Sequence, residues 1–302
     1  MIAAAALALS GCSIKIQSKQ DPSIPADTML LAADKGTPMM ERNFNPYLVN
    51  KRAASSYIYE PLVVINVLDG TGTPWLASKV SQPDARTIDY TIRDGVKWSD
   101  GKPFTVDDVV FTLNLIKKFP TLDLKGAWQH IASLETKGDH LVIHLKEDDA
   151  PAQDIISQTL IVPEHIWKDQ KSPDTWRDPN PVGTGPYTLA SFTSQQYTMD
   201  KFEDYWQADK VQVKHLVLPA ATNELDIATK GFDWAYAFMS DVQGTWVEAN
   251  PNNKYWFPPG GIIGLMPNFT VAPFNDINVR RGIALALDRD KIADSATEGY
   301  MK

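Results

Sequence analysis

The segment RDGVKWSDGKPFTVDDVVF, residues 93–111, contains a turn followed directly by the start of a helix. Asp100-Gly101 is the turn signal. Thr105 and Asp108 have the spacing of a capping box, in which the hydroxyl and the carboxylate each accept a hydrogen bond from a free amide at the helix start. The apolar residues that follow recur on one helix face and predict a helix packed against a core; they are Val106, Val109, Val110, Leu113 and Ile116.

Strand and helix patterns alternate along the rest of the chain. Residues 88–92 alternate apolar and polar side chains, as a half-buried strand does, and residues 29–33 and 140–145 are two further apolar strands. Asn223 and Asn278 are expected to cap two later helices. Interleaved strands and helices predict an α/β fold.

Residues 232–238 form an unusually aromatic segment. Every second position is aromatic, which is the period of a strand. A strand of this kind has to serve both the core and the surface. We expect Phe232 in the core, and Trp234 or Tyr236 nearer the strand exit, where ligands of open sheets bind.

The composition is that of a globular protein, with 302 residues, 43% hydrophobic residues and 22% charged residues. The net charge of −8 argues against nucleic-acid binding, which needs clustered basic residues. The basic pairs Lys51-Arg52, Lys117-Lys118 and Arg280-Arg281 are isolated and are expected to be solvated. No later segment approaches the ~18 apolar residues of a membrane helix.

Cys12 is the single cysteine, so an internal disulfide and a zinc cage are excluded. It follows an apolar stretch and ends the run Leu9-Ser10-Gly11-Cys12, which resembles a bacterial lipobox and predicts a lipid anchor outside the cytoplasm. The expected division is a signal in residues 1–12 and a tether in residues 13–28. A buried, inert cysteine is the alternative, and the lack of a basic n-region suggests a misplaced or truncated start.

Sequence motifs for catalysis are absent. The chain lacks Gly-x-Ser-x-Gly, His-Glu-x-x-His and a phosphate-binding Gly-Lys-Ser/Thr. His140 and His144 on one strand would lie ~13 Å apart, too far to share a metal ion. The pairs Asp107-Asp108 and Asp148-Asp149 are expected in a helix cap and a turn. No catalytic residue, cofactor or metal is predicted.

Aromatic residues are abundant, with 9 Trp, 10 Tyr and 11 Phe. Many lie beside turns and strand ends, where their wide faces and polar edges suit ligands that are partly apolar; a place in the core is the alternative for each. The candidate ligand contacts among them are Phe44, Tyr59, Trp128, Trp234, Tyr236, Trp256 and Phe257.

Several motifs in order resemble family 5 of the bacterial extracellular solute-binding proteins, the ligand receptors of ABC importers. Residues 93–111 resemble the hallmark of the family. Pro181-Val-Gly-Thr-Gly-Pro-Tyr187 with Asp204-Tyr-Trp206, and residues 273–292, resemble its later signatures. Asn43-Phe-Asn-Pro46 and Tyr59-Glu-Pro-Leu62 resemble its early segment near the ligand cleft, which adds Asn43 and Asn45 to the candidate ligand contacts.

The resemblance implies a two-lobed, type II periplasmic-binding-protein-like α/β fold. On this mapping the first lobe occupies residues 29–266, with an inserted subdomain at about 55–170. Residues 267–302 form the hinge crossover and the start of a second lobe that is mostly missing, so the chain is expected to be a C-terminally truncated fragment. Its expected partners are a membrane permease and a ligand, without a cofactor, and the receptor is expected to be monomeric.

The resemblance leaves the ligand class open between oligopeptides and oligosaccharides. Segments 121–128, 161–167 and 253–259 look more like the branch that binds cello- or chito-oligosaccharides, because stacking on Trp suits sugar rings. An oligosaccharide is therefore favoured over a peptide. A secreted hydrolase acting on peptides or glycosides is the enzymatic alternative, and an accessory protein of a chemoreceptor or an extracellular chaperone is a third.

Overall fold

The computed structural model describes residues 25–34, 39–149, 151–220, 226–227, 231–236, 241–248, 250–256 and 264–297. Contacts divide the chain into two compact units. The larger unit contains the described residues from 25 to 220 and 232–236; the smaller contains those from 226 to 231 and from 241 to 297. The described residues do not include Cys12, the tether up to residue 24 or the cap predicted at Asn223. The predicted lobe boundary at residue 266 stays a prediction.

The strands within the described residues are β1 (Thr28–Ala32), β2 (Val63–Ile65), β3 (Gly72–Pro74), β4 (Ala77–Asp84), β5 (Thr87–Ile92), β6 (Ile131–Lys137), β7 (His140–Leu145), β8 (Tyr187–Phe192), β9 (Gln196–Lys201), β10 (His215–Pro219) and β11 (Trp234–Ala235). The helices are α1 (Ser55–Ile58), α2 (Val106–Lys118), α3 (Ala127–His130), α4 (Ala152–Ser157), α5 (Glu164–Trp167), α6 (Ile277–Ala286) and α7 (Arg289–Thr297). Short 3₁₀ turns cover Pro120–Leu122 and Ala208–Lys210, and a π turn covers Gln243–Val247. None of these helices combines the length and the apolar character that crossing a bilayer requires.

A five-stranded sheet organises the larger unit in the order β11-β1-β10-β9-β8. β1 runs parallel to both β10 and β11, whereas β9 is antiparallel to β10 and to β8. The parallel register brings together segments that are about 185 to 205 residues apart in the chain, since Thr28 lies opposite His215 and Leu31 opposite Trp234. The carboxyl ends of β1, β10 and β11 consequently lie at one edge of the sheet.

A four-stranded antiparallel sheet, β4-β5-β7-β6, lies within the segment predicted as an inserted subdomain. β5 and β7 each alternate half-buried and buried side chains, which confirms the strand predicted from alternation at residues 88–92 and the strand predicted at residues 140–145. Their buried side chains belong to the same apolar cluster as Leu216 and Leu218 of the five-stranded sheet. The larger unit is therefore built around one continuous core.

Helix α2 begins as the capping box predicts. The Thr105 hydroxyl accepts a hydrogen bond from the Asp107 amide at 3.3 Å, and the Asp108 carboxylate accepts one from the Thr105 amide at 3.0 Å. Val109, Leu113 and Ile116 are buried in the core, which confirms the predicted apolar face.

The smaller unit contains α6 and α7. Asp276 rather than Asn278 caps α6, because its carboxylate accepts a hydrogen bond from the Asn278 amide at 2.7 Å and the helix already begins at Ile277. The predicted cap position was therefore two residues late. No residue of α6 is buried.

Candidate ligand-binding site

The carboxyl ends of the parallel strands define the candidate site. Ala32 at the end of β1 lies opposite Ala235 of β11, and Pro219 at the end of β10 lies opposite Gln196 at the start of β9. Ligands of open α/β sheets bind beyond the carboxyl ends of the strands. We call this edge of the sheet the carboxyl edge.

Two aromatic side chains at the carboxyl edge are exposed to solvent. Trp234 is 44% exposed, and Tyr236, which directly follows β11, is 58% exposed. Phe232 is only 4% exposed, which confirms the expected division of this segment between core and surface. The strand is shorter than predicted, because only Trp234–Ala235 pairs with β1; Phe238 lies outside the described residues.

A buried carboxylate, Asp34, follows β1 by two residues at the same edge. Its Oδ1 accepts a hydrogen bond from the Ala53 amide at 3.0 Å, and its Oδ2 accepts one from the Tyr197 hydroxyl at 2.5 Å. Burial raises the pKa of Tyr197, and the neighbouring Asp34 charge raises it further. The phenol therefore stays protonated and remains a donor to the carboxylate.

Arg52 lies beside Asp34. From the sequence, Lys51 and Arg52 were expected to form a solvated basic pair. That prediction is wrong for Arg52, which is 6% exposed. Its Nη1 is 3.8 Å from Asp34 Oδ1, an ion pair longer than a hydrogen bond, and its Nη2 donates to the Asn50 carbonyl at 3.1 Å. Within the described part of the chain, Nε and Nη1 have no hydrogen-bond partner. Sequence reasoning missed this pair because its members come from separate segments.

The predicted ligand contacts Asn43 and Asn45 are buried, and protein groups occupy their side chains. Asn45 Nδ2 donates to the carbonyls of Pro173 at 2.9 Å and Trp176 at 2.6 Å. Asn43 Nδ2 donates to Asn50 Oδ1 at 2.8 Å, and the Asn43 carbonyl accepts from the Arg52 amide at 2.7 Å. Both residues thus hold the loop that carries Arg52, and their contact with a ligand stays a prediction.

Phe44, which lies between these two asparagines in the sequence, is fully buried. Its ring packs edge-on against Tyr197, with ring centres 5.6 Å apart, and against Phe192 at 6.0 Å. Phe44 therefore supports the phenol that donates to Asp34.

Tyr59 is also interior, 1% exposed, and its hydroxyl donates to the carboxylate of Asp178. Burial raises the pKa of Asp178 to about 7, although the hydrogen bond from Tyr59 opposes the rise. Asp178 has a positive φ of 45°, a conformation that Asp and Asn adopt more readily than most residues. The pair joins the segment after α1 to the loop before β8.

Glu60, the next residue, connects two of the motifs on which the family resemblance rests. Its buried carboxylate accepts hydrogen bonds from Trp75 Nε1 at 2.6 Å, the Tyr205 hydroxyl at 2.7 Å and Trp206 Nε1 at 3.4 Å. Burial raises the pKa of Glu60, and these three donors counteract the rise. Tyr59-Glu-Pro-Leu62 and Asp204-Tyr-Trp206 therefore meet in the interior of the larger unit.

Three predicted contacts remain, and each is described by itself. Trp128 is half-buried in α3, where the Lys117 ammonium lies 4.6 Å from its ring centre. Trp256 belongs to the smaller unit and is 62% exposed, and Phe257 lies outside the described residues. Their part in binding stays a prediction. The described residues contain no group of three or more side chains that could hold a metal ion.

The fold is shared with solved structures of periplasmic binding proteins. A mannohexaose-bound periplasmic oligopeptide-binding protein of an ABC transporter from Thermotoga maritima superposes with a TM-score of 0.73 at 23% identity, over 91% of this chain and 54% of that one. This likeness defines the class by fold: an α/β protein of the periplasmic-binding type.

The sequence places the chain more specifically. The model of the bacterial extracellular solute-binding proteins, family 5 Middle, matches residues 71–302, and the chain belongs to this family. The oligopeptide-binding protein OppA of Bacillus subtilis is 26% identical over 85% of this chain and 52% of its own length. The peptidoglycan-binding protein YepA of Agrobacterium fabrum is 30% identical over 75% of this chain and 42% of its own. The chain spans about half the length of the curated relatives it matches.

Proposed function

We propose that the protein is the substrate-binding component of an ABC importer, which captures a short oligomeric nutrient outside the cytoplasm and delivers it to a membrane permease. Family membership supports this proposal. In the same proposal, Cys12 carries the lipid that tethers the protein to the membrane.

The carboxyl edge is the proposed ligand wall of the described unit. The observation that carries the proposal is the combination of exposed aromatic faces, Trp234 and Tyr236, with a buried charge pair, Asp34 and Arg52, at the same edge. Aromatic faces bind apolar parts of a ligand, and charged groups orient its polar ends. Asn43, Phe44 and Asn45 are the support behind this wall.

A short peptide is the ligand that we favour. Peptides have charged ends, which suit the Asp34 and Arg52 charges, and the relative OppA is named for oligopeptides. The oligosaccharide expected from the sequence is the second candidate. The two exposed aromatic residues favour it, since sugar rings stack on such faces, and the similar Thermotoga maritima protein was solved with mannohexaose.

Isothermal titration calorimetry with unmodified tri- to pentapeptides and with β-linked oligosaccharides of three to five units tests both candidates. We expect heat of binding with peptides, a weaker response for Trp234→Ala, and intact ligand by mass spectrometry afterwards. Binding of the oligosaccharides alone would move the proposal to the second candidate. Cleavage products would overturn it in favour of the hydrolase alternative.

A further inference from the structure

β11 has little backbone pairing of its own. It lies at one end of the strand order of the five-stranded sheet, and it pairs with β1 at two positions, Leu31 with Trp234 and Ala32 with Ala235. The described residues on either side of 232–236 belong to the smaller unit. A two-residue strand at a sheet edge opens easily, because few hydrogen bonds hold it. The direction of Trp234 therefore depends on the other bonds between this segment and β1.

Asp233, which directly precedes β11, supplies two such bonds to one residue of β1. The Leu30 amide donates to Asp233 Oδ2 at 2.7 Å, and the Asp233 amide donates to the Leu30 carbonyl at 2.9 Å. Both main-chain groups of Leu30 are thus paired with Asp233, one through its side chain and one through its backbone. The carboxylate serves as the acceptor that a backbone carbonyl would provide in a longer strand.

The bond from the Leu30 amide to Asp233 suits local positioning better than global stabilisation. A charged acceptor makes a shorter and stronger hydrogen bond than a neutral one, and 2.7 Å is at the short end of the usual range. Asp233 is exposed, so water competes for its carboxylate and limits the contribution of the bond to the folding stability. Loss of this bond should therefore loosen β11 and leave the rest of the larger unit folded.

Trp234 is the residue that such loosening would affect first. It directly follows Asp233, and its indole is 44% exposed at the carboxyl edge. With Asp233 bonded to Leu30 and Trp234 paired with Leu31, the backbone of Trp234 has a fixed direction before any ligand arrives, which reduces the entropy lost on binding. If β11 opens for part of the time, the apparent affinity falls in proportion to the fraction that remains paired.

We propose that Asp233 is a positioning residue that holds Trp234 in the ligand wall by bonding the start of β11 to Leu30. This inference rests on the proposed function and deepens it, because it names the residue through which the fold fixes the aromatic contact. Asp233 acts without touching the ligand, since its Oδ2 is bonded to the Leu30 amide. An aromatic face suits apolar side chains and sugar rings alike, so the role is the same for a peptide and for an oligosaccharide.

Fluorine NMR of the protein labelled with fluorinated tryptophan tests the positioning without a ligand. The resonance that disappears in Trp234→Phe belongs to Trp234. In Asp233→Ala, we expect this resonance to move towards that of free fluorotryptophan, and the Leu30 amide to exchange with solvent at least about tenfold faster. Asp233→Asn keeps an acceptor oxygen and should restore both. Asp84→Ala, which removes another exposed carboxylate that accepts a main-chain amide, is the matched control and should change neither.

Calorimetry with the peptide Ala-Leu-Ala and with cellotriose measures the consequence for binding. Asp233→Ala should weaken binding of the probe that the parent binds by about five- to tenfold. Its melting temperature should stay within about 2 °C of the parent, as expected for an exposed side chain. The double variant with Trp234→Ala should bind no more weakly than Trp234→Ala alone, because a residue that acts through Trp234 then has nothing left to position.

The outcomes separate this inference from the proposed function. An unmoved Trp234 resonance in Asp233→Ala, an unchanged affinity, or a loss of affinity that adds to that of Trp234→Ala would overturn the inference and leave the proposed function standing. Binding of neither probe by the parent would overturn the proposed ligand wall and this inference together.

Discussion

The buried carboxyl of Asp178 is expected to make the folding stability depend on pH, and Asp178→Asn should remove this contribution. Asp178 is 1% exposed, and burial raises the pKa of its carboxyl from 3.8 to about 7. Between these two values the folded protein keeps a proton that the unfolded chain releases. Stability therefore falls as pH rises through this window, since the folded state binds more protons.

The size of the effect follows from the pKa difference. Each pH unit within the window changes the free energy of unfolding by about 1.4 kcal/mol, and the rise from 3.8 to about 7 corresponds to ~4 kcal/mol. Asn in place of Asp keeps an oxygen that accepts the Tyr59 hydrogen bond, and it tolerates the positive φ of 45°. The variant therefore removes the titration while preserving the local geometry.

Guanidinium unfolding followed by tryptophan fluorescence at pH 4.5, 5.5, 6.5 and 7.5 measures this difference. The stability of the parent relative to Asp178→Asn should decrease by roughly 3 kcal/mol between the first and the last pH. Any constant offset from the buried amide cancels in this comparison. Asp204→Asn, at a side chain that is 62% exposed, controls for the loss of one surface carboxylate. Parallel pH profiles of the parent and Asp178→Asn would refute the reasoning.

Three further outcomes are expected. Trp234→Ala should weaken ligand binding by about 1–3 kcal/mol with little change in melting temperature. Phe232→Ala, at a 4% exposed side chain, should instead lower the free energy of unfolding by ~3–5 kcal/mol. A large drop in melting temperature with unchanged affinity in Trp234→Ala would place Trp234 in the core. Glu60→Gln should lower the free energy of unfolding by roughly 2–4 kcal/mol in a denaturant titration, because its new amide group faces indole and phenol donors. A decrease in the free energy of unfolding below about 0.5 kcal/mol would contradict the burial of this carboxylate. Cys12→Ser should move the protein from the membrane fraction to the soluble extracytoplasmic fraction, and equal membrane retention of both forms would reject the lipid anchor.

The sequence by itself determined the local elements. Thr105 and Asp108 cap α2 as predicted, because a capping box is a contact between residues three apart. The alternation of buried side chains in β5 also follows from a period that is visible along the chain. The family could be recognised from the sequence for the same reason, because the motifs of the family are contiguous stretches.

Only the tertiary structure decided which residues lie at the carboxyl edge and which lie behind it. Asn43, Phe44 and Asn45 occur in a motif associated with a ligand cleft, yet the fold holds all three inside: Phe44 and Asn45 through partners at residues 173–197, and Asn43 through Asn50 and Arg52. Arg52 looked like a surface charge until the fold brought Asp34 beside it. The carboxyl edge itself depends on the pairing of β1 with strands nearly two hundred residues later, and no local pattern encodes such a register.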